Sequence, residues 1–206
     1  MSVHSFADVK EIETARLMLR RFTVGDAEAL ADLYGDPQVM RYIDDGKPVP
    51  REVTVNRSLP EILERCAQLP AGLRNSALVE KSSGRFIGEV GLGRVSSVGL
   101  DGGGAGYELG YRLRPEFWGR GYASEAAKAL VDFAFADYRV PRVVATTMTV
   151  NVGSRRVMEN AGLRLVRTFF EQWPEYIEGA EHGDVEYALT FEDWQGAVSG
   201  SRRAGV

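Results

Sequence analysis

The chain has 206 residues, 44% of them apolar and 26% charged, with a net charge of −4. That is the composition of an ordinary globular domain able to bury ~70% of its unfolded surface. The charge argues against nonspecific nucleic-acid binding, which needs a basic face, and no apolar run approaches the ~18 residues of a membrane helix. Early charges at Asp8, Lys10, Glu11 and Glu13 leave no room for a signal-peptide core. The expectation is a cytoplasmic protein, monomer or homodimer, that engages neither nucleic acid nor membrane. The single cysteine, Cys66, excludes an internal disulfide framework. With only two histidines as well, no metal site is expected.

Along the chain, residues 1–11 read as a loose lead-in, and 16–22 as a first strand in which Leu17 and Leu19 alternate with polar neighbours. Asp26 is placed to cap a helix with an apolar face of Ala27, Leu30, Ala31 and Leu33/Tyr34. Residues 50–68 read as helical, kinked or split at Pro60. A hairpin joins 76–80 to 85–92 across Lys81-Ser82-Ser83-Gly84, and residues 98–106 form a glycine-rich loop. An alternating strand, 107–113, then leads through a Pro115 turn and the loop Trp118-Gly119-Arg120-Gly121 into an alanine-rich helix. The stripe of that helix is Ala123, Ala126/Ala127, Leu130/Val131, Ala134 and Tyr138. Residues 143–150 are β-branched enough for a central strand, and 152–161 form a short helix closed by Gly162. The last strands, 164–172 and 185–190, flank a 12-residue loop at 173–184. Residues 195–206, small and polar, read as a disordered tail.

Strand, glycine loop and helix together make an anion site: the first helical turn has unpaired N–H groups and partial positive charge, and glycine lets a phosphate approach. A Walker loop would end in Gly-Lys-Ser or Gly-Lys-Thr, which the chain lacks. A dinucleotide fold would carry its glycines in the first strand–helix unit, with an acid ~20 residues on. Here the loop begins past the midpoint, after antiparallel-looking strands.

A third pattern is Gln/Arg-x-x-Gly-x-Gly/Ala. Gly121 and Ala123 fit its last two positions, and Trp118 stands where the Gln or Arg would be. Three further blocks accompany it: Ile12 to Arg20 with Asp26-Ala27, the run from Asp36-Pro37 to Tyr42, and residues 143–150 followed by Asn151-Val152-Gly153-Ser154 and Val157 to Leu163. In this order and spacing, over residues 12–194, they resemble the GCN5-related N-acetyltransferase (GNAT) superfamily, in the branch of the ribosomal-protein N-terminal (Rim-type) acetyltransferases.

The resemblance implies an α/β fold: a mixed, mostly antiparallel sheet of about seven strands with about four helices, its fourth and fifth strands splayed. It implies acetyl-CoA as cosubstrate and direct attack by a primary amine in a ternary complex, the acceptor being a protein N-terminus or a small-molecule amine such as an amino antibiotic. Backbone amides of Gly119, Arg120, Gly121, Tyr122, Ala123 and Ser124, beside Trp118, would hold the pyrophosphate. The Arg120 and Arg114 side chains would add charge. The pantetheine would pair with the edge formed by Tyr111, Arg112, Leu113 and Arg114, where a backbone N–H would polarise the thioester carbonyl, and Asn151 would bond it or cap the following helix. The family's usual acid, a Tyr, is here Met158, which cannot donate a proton. Ser154 matches the Ser that Rim-type relatives place beside the sulfur. Glu108 is the first choice of base, ahead of Glu175 and His182. Tyr42, Glu108, Trp173 and Tyr176 would contact the acceptor. Two alternatives stay open: a non-catalytic acyl-CoA-binding sensor or partner module, and use of a longer acyl-CoA.

Overall fold

Period-two alternation builds most of the sheet. The computed structural model describes residues 11–68, 75–95, 106–171 and 176–203. Its strands are β1 (Ile12–Glu13), β2 (Leu17–Arg20), β3 (Ser76–Glu80), β4 (Phe86–Val95), β5 (Gly106–Leu113), β6 (Arg142–Met148), β7 (Arg164–Phe169) and β8 (Asp184–Thr190). They form one sheet in the order β1-β2-β3-β4-β5-β6-β8-β7. Every pairing is antiparallel except β5 with β6. The eighth strand, one more than expected, is β1: two residues paired to Leu19 and Met18 are too short to show a period. The family's fourth and fifth strands are therefore β5 and β6 here.

Helices cover both faces. One face packs on α5 (Tyr122–Tyr138) and α6 (Val152–Asn160), with Leu130, Phe135, Leu92, Met158 and Tyr187 in a single core. The other carries α1 (Ala27–Tyr34), α2 (Pro37–Met40), α3 (Arg51–Val53) and α4 (Leu59–Gln68), whose Leu30, Leu33, Leu59 and Ile62 meet Phe22 and Ala77. The predicted apolar face of α1 is the one that is buried. No helix among the described residues is long and apolar enough to cross a membrane.

Four local expectations change. Asp26 does not cap α1 with its side chain; its carboxylate turns back to accept from the Thr23 N–H at 2.8 Å and from both Arg20 Nη atoms at 2.7 and 2.8 Å. Pro60 neither kinks nor splits the helix within α4. Proline lacks an N–H and crowds the carbonyl four residues back. A π-helical stretch at Thr54–Ser58, where Leu59 N–H reaches back to the Thr54 carbonyl, falls just ahead of Pro60, and its wider turn accommodates the missing N–H and the crowded carbonyl. The expected tail from residue 195 is largely helical: α7 runs Phe191–Arg203. It starts on a reciprocal Thr190–Asp193 cap and docks through Trp194, which stacks on Phe135 at 5.5 Å and donates its indole N–H to Asp132. Finally, of the 98–106 loop only Gly106 lies within the described residues, and it opens β5.

Asp26 gives a pH test. Burial pushes its carboxyl up, but hydrogen bonds from Arg20 and Thr23 outweigh that and hold it below the ordinary value of about 3.9. A lowered folded-state pKa stabilises fully above the unfolded value, and the increment is lost as pH falls through the folded one. Asp26→Asn is expected to cost about 2 kcal/mol at pH 7 and progressively less below pH ~4. Urea unfolding of both proteins at pH 7 and pH 3 measures this; an equal difference at the two pH values would refute it.

Candidate active site

The glycine loop is fixed by backbone geometry and by a clamp beneath it. Gly119 and Gly121 have φ of 71° and 77°, left-handed values that disfavour any side chain. A Cβ on Gly119 would meet nothing within 4 Å, so conformation rather than crowding calls for glycine there. Gly121 opens α5, whose first turn closes from the Glu125 N–H to the Gly121 carbonyl at 3.0 Å. The amides ahead of that bond lack intrahelical acceptors and face the cavity end.

Under the loop, Arg16 donates through Nε and its main-chain N–H to Glu125, at 2.6 and 2.9 Å, and through Nη1 to the Arg120 carbonyl at 2.9 Å. Its guanidinium lies 4.5 Å over the Tyr122 ring. Burial pushes the Glu125 carboxyl up, but bonds from Thr14 and Arg16 prevail and keep it ionised. Sequence reasoning gave Arg16 no role, although Thr14-Ala15-Arg16 stood in the blocks that carried the resemblance.

Trp118 donates its indole N–H to the Leu113 carbonyl at 2.7 Å, tying the loop to the end of β5. The Arg120 guanidinium is solvent-facing, 5.5 Å over the Phe117 ring. Arg114 departs from expectation. Its guanidinium reaches Asp32 at 3.1 Å and the Ala29 carbonyl at 3.4 Å on α1, away from the loop.

Beyond the loop the sheet parts. The β5–β6 ladder holds only at Tyr107↔Val143 and Glu108↔Val144. The Arg114 N–H is donated to Ile87 of β4 at 2.9 Å. Antiparallel alternation then aims the Arg112 N–H at β4 too, and those of Tyr111 and Leu113 into the gap. Of the four-residue edge expected to meet pantetheine, only Tyr111 and Leu113 present N–H groups to it. The Arg112 side chain instead joins a buried cluster in which Glu89 accepts from Tyr34 Oη at 2.8 Å, Asn75 Nδ2 at 3.0 Å and Arg112 Nη1 at 3.0 Å.

On the α6 side of the gap, the Tyr111 hydroxyl lies 2.8 Å from Ser154 Oγ and 2.9 Å from the Ser154 carbonyl. Burial pushes the Tyr111 phenol well up, so it stays protonated. Asn151 caps α6, accepting from the Ser154 N–H at 3.2 Å and donating to Thr147 Oγ1 at 3.1 Å. Met158, at the usual Tyr position, is 1% exposed in the core. On the opposite face Glu108 is open to the cavity and accepts from Thr146 Oγ1 at 3.0 Å.

The cavity along this gap measures about 1410 Å³, larger than the ~300–1,000 Å³ of a site for one small ligand. Tyr42 lines it. Tyr176 does not: it is 74% exposed and hydrogen-bonded to Glu181, and His182 is exposed 3.6 Å from the same residue. Trp173 and Glu175 lie outside the described residues. Asp44, before α3, lines the cavity too, and among the lining residues that went unread in the sequence are Glu89 on β4, Glu171 after β7 and Arg156 on α6, which forms no ion pair among the described residues.

Comparison with known proteins gives this geometry its family. Residues 16–164 match the family model of the acetyltransferase (GNAT) domain. An FsC-acetyl coenzyme A-N(2)-transacetylase of Aspergillus fumigatus is 33% identical over 189 residues, 89% of this chain and 77% of that protein. The crystal structure of a GNAT-family acetyltransferase from Bacillus anthracis is 26% identical with a TM-score of 0.69, covering 89% of this chain and 99% of that one. The fold is shared too with RimL, a ribosomal L7/L12 α-N-protein acetyltransferase solved with coenzyme A, at 19% identity and a TM-score of 0.67 over 89% of this chain and 99% of that one. The chain belongs to the GNAT acetyltransferase family. It is an acetyltransferase whose cosubstrate is acetyl-CoA, which favours an enzyme over the non-catalytic module.

Gly121→Val is expected to weaken CoA binding about tenfold or more, because a β-branched residue at a left-handed φ must reshape the loop. Calorimetric titration of CoA into the folded variant measures this, and wild-type affinity would place the phosphates elsewhere.

Proposed function

We propose that the protein transfers the acetyl group of acetyl-CoA to a primary amine by direct attack. The single observation that carries this reading is the parting of β5 from β6 immediately after Glu108, which leaves a carboxylate on one face and the Tyr111–Ser154 hydroxyl pair on the other. A pantetheine arm lying in the gap brings its thioester between them. The loop amides, with Arg156 near them, take the phosphates.

An acceptor with a lysine-like pKa near 10 arrives as an ammonium. Glu108 takes its proton, directly or through a water, and the nitrogen attacks the thioester carbon. The Tyr111 N–H, aimed into the gap, stabilises the oxyanion. As the C–S bond breaks, the nitrogen gives up its second proton to solvent or to the departing sulfur, and the Ser154 hydroxyl hydrogen-bonds the thiolate. Tyr111 serves this step by shifting its own proton from the Ser154 carbonyl to Ser154 Oγ, which frees the serine hydrogen to face the sulfur.

Glu108 and Glu171 line the cavity with no cationic partner among the described residues, which suits a cationic amine, whereas Asp44 already faces the Arg112 guanidinium at 3.9 Å. The Aspergillus fumigatus relative is named for transfer to an N(2) nitrogen, which supports nitrogen over oxygen as the acceptor atom. Both a protein N-terminus and a small-molecule amine fit this class.

Glu108→Gln is expected to leave CoA affinity unchanged and lower turnover ~10²-fold. The assay is release of CoA thiol from acetyl-CoA with amino antibiotics, polyamines and peptides bearing α-amino termini. A variant as fast as wild type would remove Glu108 from the reaction.

A further inference from the structure

Among the described residues, nothing in packing or backbone conformation requires the two glycines beside Glu108. In the β4–β5 register Gly93 lies opposite Glu108, and Gly110 stands two residues along β5. Cross-strand partners and i, i+2 neighbours share a sheet face, so both lie on the Glu108 face. Both line the cavity. Neither has a positive φ, and a Cβ built on either would meet nothing within 4 Å among the described residues. Their neighbours differ sharply: a Cβ on Gly88 would come within 2.1 Å of the Arg112 carbonyl, and one on Gly91 within 2.8 Å of the Asn75 backbone. Protein packing thus accounts for Gly88 and Gly91 but not for Gly93 and Gly110, although glycine inside a strand weakens it.

We propose that Gly93 and Gly110 form a bare floor that selects the acceptor, admitting an amine whose nitrogen-bearing carbon carries a substituent, such as an amino-acid or peptide α-amine. The inference rests on Glu108 being the group that receives the amine. With the nitrogen at Glu108, Gly93 lies about 5 Å across the sheet and Gly110 about 7 Å along it. Substituents on the first carbons behind the nitrogen fall in that range, whereas a slim unbranched chain would clear an ordinary side chain there. The acyl group is the less suitable occupant: pantetheine enters on the gap edge of β5, and Gly93 belongs to β4, one strand further from that edge.

The test uses Gly93→Ala and Gly110→Ala, with thermal midpoints no lower than that of the wild type as the folding control. CoA-thiol release is measured with an alanyl peptide as the α-substituted amine and spermidine as the slim one, and with acetyl-CoA against butyryl-CoA. In the variants the KM for the alanyl peptide should rise about tenfold or more, while those for spermidine and acetyl-CoA stay within about twofold. An unchanged peptide KM would overturn the inference alone. So would a wild-type preference for spermidine, or a shift in acetyl-to-butyryl preference at constant peptide KM, which would give the floor to the acyl chain. No thiol release by wild type with any amine would sink the amine-transfer reading, and this inference with it.

Discussion

The arrangement of this molecule depends on where β5 lets go of β6. A parallel ladder that stops after two residue pairs leaves backbone N–H groups of an interior strand without a strand partner, and such groups need acceptors from another source. The edge is usable because it is held open at both ends. At its far end Trp118 takes the Leu113 carbonyl, so loop and strand end are pinned together. Across the gap the Tyr111 hydroxyl is engaged with Ser154 on α6, which holds that helix at a fixed distance from the strand. Glu108 is the last residue of β5 paired with β6, so its place at the mouth follows from the point at which that ladder ends.

Two polar clusters carry that geometry to distant parts of the chain. The Arg16–Glu125 clamp joins the segment before β2 to the first turn of α5, across a separation of 109 residues, and also holds the Arg120 carbonyl. The Glu89 cluster fastens β4 and β5 to α1 through Tyr34. Neither is good evidence of net stability, because desolvating paired charges offsets much of their attraction. Their value is positional. Arg112 is held against Glu89 and Tyr34, off Gly93 and Gly110, over which no described atom stands within 4 Å of a Cβ position.

What the sequence made legible was whatever local chemistry determines. The loop was readable as an anion site because glycines ahead of an alanine-rich helix expose its first amides. The accompanying blocks rather than the loop gave the family, and the apolar stripes of α1 and α5 follow from their spacing. Side-chain direction was not readable. Arg114 sits on the expected strand edge, yet only the placement of α1 turns it toward Asp32. Tyr176 looked like a wall residue by type, but its hydroxyl finds Glu181 five residues on and the ring faces solvent. Glu89 gave no signal, because its three partners come from three separate segments. Helix α7 was hidden by Gly196 and Gly200; what sustains it is the docking of Trp194 on Phe135, a tertiary contact that overrides weak local propensity.

The charge pattern of the cavity sets a constraint on the chemistry. Exposed loop amides and Arg156 favour an anion, while Glu108 and Glu171, which have no cationic partner among the described residues, favour a cation. The field that draws in an ammonium also stabilises its protonated form, which cannot attack. A deeply buried base would aggravate the conflict by trapping the proton. Glu108, the base in the proposed reaction, is instead open to the cavity and hydrogen-bonded to Thr146, so a proton accepted there would have a short route to solvent. An acidic mouth and a solvent-accessible base are thus complementary: the first raises the local concentration of the amine, and the second lets the amine shed the proton that attraction would otherwise retain.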